Sequence, residues 1–166
     1  MNIPQAAVSL IASEGDILIL KRSIHEKDPW SGQLSLPGGK IDPEDSSPLA
    51  AAIRETHEEC GFCLDPKSKI KELELLSAGG ALDRPMWVQP YFFELDKKAE
   101  IILDLREHSE LYWVPLTYLK NSQFHTKKKK SKNYPHLDFP CINIEGTDLW
   151  GFTYQLIMSH FNIPMS

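Results

Sequence analysis

Glu55, Glu58 and Glu59 stand at positions i, i+3 and i+4, and on a helix that spacing makes their side chains neighbours. Like charges so placed repel by roughly a few tenths of a kcal/mol per pair. They also lie just before Gly61, in the last turns of a helix, where the macrodipole disfavours anions. Stability alone would favour Lys or Arg there, and two rules broken at one place point to a functional site. A bound divalent cation removes the conflict. Mg²⁺ takes hard oxygen ligands, accepts few carboxylates, keeps several waters and bridges to phosphates. Arg54 stands four residues before Glu58 and can hold one carboxylate in place. The competing reading is a solvated acidic face, which surface helices often carry.

The element that positions these groups is the clearest helix in the chain. Ser46 or Ser47 can cap it, Pro48 suits its first turn and Gly61 fits the place just past its end. At about 100° per residue, Leu49, Ile53, Thr56 and Cys60 form one inward stripe, and the three glutamates share the opposite face. Upstream, Pro37-Gly38-Gly39 and the acidic run Asp42-Pro43-Glu44-Asp45 read as a loop with breakers, and paired glycines let backbone approach a ligand. Ala6 to Ser13 and Ile17 to Leu20 read as a hairpin around Glu14-Gly15-Asp16. Gln33 to Leu36, Leu73 to Ser77, Trp87 to Leu95, Glu110 to Val114 and Leu137 to Ile144 read as further strands. Leu116 to Leu119 is a turn of helix, Lys127 to Lys130 sits in a polar, mobile loop, and a final helix spans about Thr147 to Phe161. No repeat or linker divides the chain, so residues 1–166 are expected to form one domain of mixed α and β structure.

Composition narrows the partners. The hydrophobic share of 42% and charged share of 25% are those of an ordinary globular chain. A formal net charge of -5 argues against nucleic acid as a charge-driven partner, but a bound cation can still attract a small anionic substrate. No signal segment and no membrane-length apolar run is visible, so a cytoplasmic protein with no membrane partner is expected, as a monomer or a homodimer. Cys60 and Cys63 form a C-x-x-C that straddles the helix end. With no second cysteine or histidine pair at zinc-ligand spacing, two packed, reduced thiols are expected rather than a redox pair. His25, His57, His108, His125, His136 and His160 form no ligand pattern.

Joined to the glutamates, the glycine pair resembles the Nudix box, G-x5-E-x7-R-E-U-x-E-E-x-G-U with U apolar. The matching residues are Gly39, Asp45, Arg54, Glu55, Thr56, Glu58, Glu59, Gly61 and Phe62. Asp45 stands where Glu is usual, and one extra residue separates it from Arg54. The looser form L-P-G-G-K-x-D-x-x-D, with Arg22-Ser23 and Gly32-x-Leu34-x-Leu36 upstream, resembles the coenzyme A diphosphatase branch, although Trp30 stands where that branch often has histidine. Glu107 to Leu116 and Asp148 to Thr153 resemble later parts of the same branch.

The resemblance implies an α/β/α sandwich with a mixed β-sheet and hydrolysis of a diphosphate bond in a nucleotide-containing small molecule. It implies Mg²⁺ (or Mn²⁺) held by Glu55, Glu58 and Glu59, with Arg54 orienting them. Glu107 is the first candidate for a distal general base, with Glu110 and Glu94 behind it. Gly38, Gly39, Arg22 and Trp30 are candidates for substrate contact, and the lysine run 127–130 is a further candidate for a 3′-phosphate. Coenzyme A or its acyl derivatives head the implied substrates. ADP-ribose, NADH, dinucleoside polyphosphates and NTPs are the alternatives, as is a Nudix module that binds nucleotide without hydrolysing it.

Overall fold

Near-continuous apolar runs, such as Ile17 to Leu20, are buried at every residue, as in a sheet covered on both faces. The computed structural model describes residues 2–79, 85–131 and 134–165. Ala6–Ser13 (β1) and Asp16–Arg22 (β2) form the expected hairpin. Glu14 and Gly15 turn it with φ of 52° and 83°, the hand that matches strand twist. The two strands pair only at Ala12–Ile17 and Ser13–Asp16, then part.

The gap between them is filled by residues 33–40. The Arg22 N–H donates to the Gln33 carbonyl at 2.9 Å and the Ser9 N–H to the Pro37 carbonyl at 2.8 Å. Leu34–Ser35 (β3) pairs with β2, and Gly38–Lys40 (β4) pairs antiparallel with Ala6–Val8. Pro37-Gly38-Gly39, expected to break structure, is therefore wedged into the sheet. Gly38 has φ of 146°, and a Cβ there would stand 2.4 Å from the Ala7 carbonyl oxygen. Glycine makes this strand possible.

Met86–Leu95 (β7) pairs in parallel, through Val88 to Leu95, with the whole of β1, and His108–Pro115 (β8) runs antiparallel to β2. The expected strand Leu73–Ser77 is replaced by two shorter ones, Lys69–Glu72 (β5) and Leu76–Ala78 (β6), both antiparallel to β7. Their ladders stop on either side of Gln89-Pro90, because proline has no N–H to give. The result is an eight-stranded mixed sheet.

Pro48–Cys60 (α1) packs on one face, over Ala7, Ile11, Leu18, Leu20, Tyr91 and Phe93. On the other face, Leu10, Ile17, Ile19 and Val114 meet Ile142, Leu149 and the residues of a C-terminal helix. That second layer holds a three-stranded antiparallel sheet of His125–Lys129 (β9), Asp138–Ile144 (β10) and Thr147–Trp150 (β11). Leu116–Leu119 (α2) and Gly151–His160 (α3) complete it. The sandwich is as expected, with two corrections in this layer. Thr147 to Trp150 is strand rather than helix, and the change to α3 falls at Gly151, φ 65°. Lys127 to Lys129 is strand rather than loop, because half-buried Asp148 accepts from Lys128 at 3.0 Å and also from Lys130, while Lys129 pairs with Asp138 at 3.2 Å. No described helix is long and apolar enough to cross a membrane.

Candidate active site

The helix signals act as the sequence indicates. Ser47 Oγ accepts from the Ala50 N–H at 3.1 Å, and Gly61, at φ 71°, donates to the His57 carbonyl. The face assignment needs correction. Ala51, Ala52, Thr56, Glu59 and Cys60 are buried, whereas Leu49 and Ile53 are only half-buried. β4 covers the flank where Glu59 lies, so the three carboxylates are graded rather than equivalent. Glu59 is 3% exposed, Glu55 half-buried and Glu58 exposed.

Arg54 ties the group together. Its Nε and Nη2 donate to the two oxygens of Asp45 at 3.0 and 2.9 Å. Nη1 donates to Glu55 Oε1 at 2.9 Å and Glu58 Oε2 at 3.2 Å, and Nη2 also reaches the Lys40 carbonyl at 3.1 Å. All five guanidinium N–H groups are thus used. Asp45, only 7% exposed in its side chain, is held below the usual carboxylate range by this pairing. The acid one residue out of register in the box is the anchor of the arginine.

Two backbone contacts fix the other carboxylates. The Gly38 N–H donates to Glu59 Oε2 at 2.9 Å, yet burial still pushes the Glu59 carboxyl up to about 8. Burial raises Glu55 as well, against the pull of Arg54. A Cβ at Gly39 would lie 2.6–2.7 Å from the Glu55 carboxylate, so the second glycine is a cradle for that side chain. Gly39→Ala should displace a flexible carboxylate and lower turnover about tenfold with little change in melting, since loss of positioning is costly to rate. Gly38→Ala meets backbone at positive φ and should cost about 2 kcal/mol or more of stability. Thermal melts and turnover of the two variants check this, and the reverse pattern would contradict it.

The donor set fits a hard cation. Among the described residues, no three acidic, histidine or cysteine side chains converge tightly enough to enclose an ion unaided. Mg²⁺ does not need such a cage, because it keeps waters and shares substrate oxygens. Glu59 is buried, short of hydrogen bonds and costly to ionise alone, as expected for a ligand whose charge a metal compensates.

The distal carboxylates separate clearly. Glu110 is engaged by Lys21 at 2.7 Å and by Tyr112, and Glu94 lies on β7 with no assigned role. Glu107 acts electrostatically on both Glu55 and Glu59, and it lines an open cleft of about 450 Å³ with Arg22, His25, Lys27, Asp28 and Arg106. Arg22 is held by Asp28 at 2.8 Å, and Asp28 also accepts from the Trp30 N–H. Trp30 is exposed on the same loop. Of the C-x-x-C, only Cys60 is packed, with its thiol pushed up to about 12 by burial; Cys63 is exposed beside His57 Nδ1 at 3.4 Å, and all three thiols are free.

Sequence reasoning passed over His108. It is fully buried, its Nδ1 has no partner among the described residues, and burial lowers it to about 4. The unfolded imidazole titrates near 6.5, so between these values the unfolded chain binds more protons. This contribution is complete above about pH 6.5 and lost as pH falls toward 4, with a slope of at most about 1.4 kcal/mol per pH unit. Urea unfolding at pH 7 and 5 should show a shallower acid loss in His108→Gln; an equal loss in both proteins would contradict the assignment.

The chain belongs to the NUDIX domain family, which residues 1–137 match. It is 28% identical to a probable nudix hydrolase of Schizosaccharomyces pombe over 151 residues, 90% of this chain and 51% of that protein. It is 32% identical over 100 residues to the peroxisomal coenzyme A diphosphatase of Mus musculus, covering 59% of this chain and 40% of that one. The chain therefore spans about half the length, or less, of these curated relatives. The fold is that of a MutT/nudix family protein from Enterococcus faecalis, with a TM-score of 0.67 at 18% identity over 98% of this chain and 62% of the other.

Proposed function

We propose that residues 1–166 act as one hydrolase domain that uses Mg²⁺ or Mn²⁺ to add water across a diphosphate bond in a nucleotide-containing substrate. Coenzyme A or an acyl derivative is the substrate class we favour. The observation that carries the hydrolase reading is the Arg54 network, which gathers Glu55 and Glu58 beside buried Glu59 against the two glycines of β4. The coenzyme A assignment is supported by the upstream pattern around Arg22 and by similarity to the mouse diphosphatase.

Glu55, Glu58 and Glu59 would hold the metal, which supplies charge neutralisation at the phosphoryl oxygens. Arg54 keeps Glu55 and Glu58 from rotating away. Glu107 takes a proton from the attacking water as general base. The water oxygen bonds to phosphorus while the bridging phosphorus–oxygen bond breaks, and its electron pair leaves on the departing phosphate. From coenzyme A the products are 3′,5′-ADP and 4′-phosphopantetheine. Because Lys128, Lys129 and Lys130 are already paired with acids, the lysine run is not assigned to the 3′-phosphate. No nucleic-acid or membrane partner is required.

The test is a panel of coenzyme A, acetyl-coenzyme A, ADP-ribose, NADH and a dinucleoside polyphosphate with Mg²⁺, products identified by mass. Turnover highest on the coenzyme A pair is expected. Preference for another member overturns the substrate, and no product with either metal overturns the activity.

A further inference from the structure

Taking the hydrolase reading of the site, we propose that Asp104 is the positioning residue for Glu107, fastening the turn that bears this carboxylate to the end of the helix that bears Glu55, Glu58 and Glu59. Helices leave their last carbonyls without intrahelical partners. Here they are taken by the segment entering β8. The Cys60 carbonyl accepts from the Ile102 N–H at 2.9 Å, and the Glu59 carbonyl accepts from the Asp104 N–H at 3.0 Å. Glu59 thus joins two structures, β4 through its carboxylate and this segment through its carbonyl.

Asp104 then closes the turn on itself. Its carbonyl accepts the N–H groups of Glu107 at 3.0 Å and His108 at 2.9 Å. Its carboxylate accepts the Arg106 N–H at 3.0 Å and Arg106 Nε at 2.9 Å, the aspartate pattern that bonds backbone two residues on and stabilises a turn. The far side is tied to the loop after β2, where the Ser23 N–H donates to the Glu107 carbonyl at 2.8 Å and Ser23 Oγ to the Leu105 carbonyl at 3.1 Å. Glu107 itself is exposed and no hydrogen bond holds its carboxylate among the described residues. Its place relative to Glu55 and Glu59 therefore comes from the backbone of this turn. Among the described residues, Asp104 supplies the only carboxylate that this turn bonds to.

The experiment compares wild type, Asp104→Ala, Asp104→Asn, Glu107→Gln and the Asp104→Ala/Glu107→Gln double variant, using coenzyme A with Mg²⁺, alongside amide hydrogen exchange of each metal-free protein. Misplacing a reacting group by about 1 Å can cost on the order of 100-fold in rate. Asp104→Ala should lower kcat about tenfold, within that bound, and leave KM within about twofold. Asn keeps an oxygen for the Arg106 N–H and should restore most of the rate. If Asp104 acts through Glu107, the double variant is no slower than Glu107→Gln alone, because residues in one network are not additive. Exchange at Arg106 and Glu107 should quicken in the Ala variant only, with α1 unchanged. Losses that multiply in the double variant, or unchanged kcat in Asp104→Ala, would overturn the proposal. Full activity in Glu107→Gln also overturns it while leaving metal-dependent hydrolysis standing. If wild type turns over no panel substrate, the hydrolase reading fails, and unchanged exchange in Asp104→Ala then refutes the tether on its own.

Discussion

Glu59→Gln is expected to lose at least about 100-fold in turnover while folding as well as the parent or better. The scale is that of removing one preorganised electrostatic group, such as an oxyanion-hole donor, on the order of 10²–10³. The stability side follows from burial. Folding raises this carboxyl to about 8 from the model-peptide value near 4.3. Its contribution is therefore favourable below about pH 4.3 and lost as pH rises through 8, where the folded protein must ionise a buried acid. Glutamine never ionises, and its oxygen can still accept from the Gly38 N–H. Without metal, the variant should melt at or above wild type at pH 8, and the difference should shrink at pH 5. A variant that melts lower at pH 8, or that turns over normally, contradicts a buried metal ligand.

Arg54→Ala should damage both stability and rate. Asp45 is nearly buried, and both its oxygens rest on Arg54. Hydrogen bonds to charged groups are worth about 1.5–3 kcal/mol, and the Asp42 N–H, which still donates to Asp45 at 2.8 Å, keeps the expected loss within that range. Glu55 and Glu58 lose their common donor at the same time, so turnover should fall about 100-fold or more. Lys cannot reproduce the planar fork, and Arg54→Lys should recover little of either. Equilibrium unfolding and initial rates check both variants. Near-normal rates in Arg54→Lys would show that a point charge suffices and that the five-way geometry is incidental.

Much of this site was legible because it offends local rules. Three glutamates before a helix-ending glycine and a proline followed by two glycines are expensive choices, and each marks a place where geometry serves something other than stability. The cap at Ser47, the end at Gly61 and the strands at β1, β2, β7 and β8 follow from local preference, which tertiary packing reinforces there. What was hidden depends on contacts between distant segments. The helical wheel put Glu59 opposite the core because it knows nothing of β4, whose Gly38 lies 21 residues upstream and covers that flank. Gly38–Lys40 is a strand only because Ala6–Val8 offers it an edge. Lys127 to Lys129 look like loop until Asp148 supplies the opposing charge, and Thr147 to Trp150 look helical until β10 pairs with them. Asp104 carries no signal in isolation; its use appears only when the end of α1 is placed beside it.

Electron paramagnetic resonance of added Mn²⁺ asks most directly whether the α1 carboxylates take up a divalent ion. Wild type should remove free Mn²⁺ from solution at a defined stoichiometry, and Glu55→Gln/Glu58→Gln should lose most of that uptake while remaining folded by circular dichroism. Undiminished binding in the double variant, or none in wild type, would mean that these acids serve some purpose other than holding a metal.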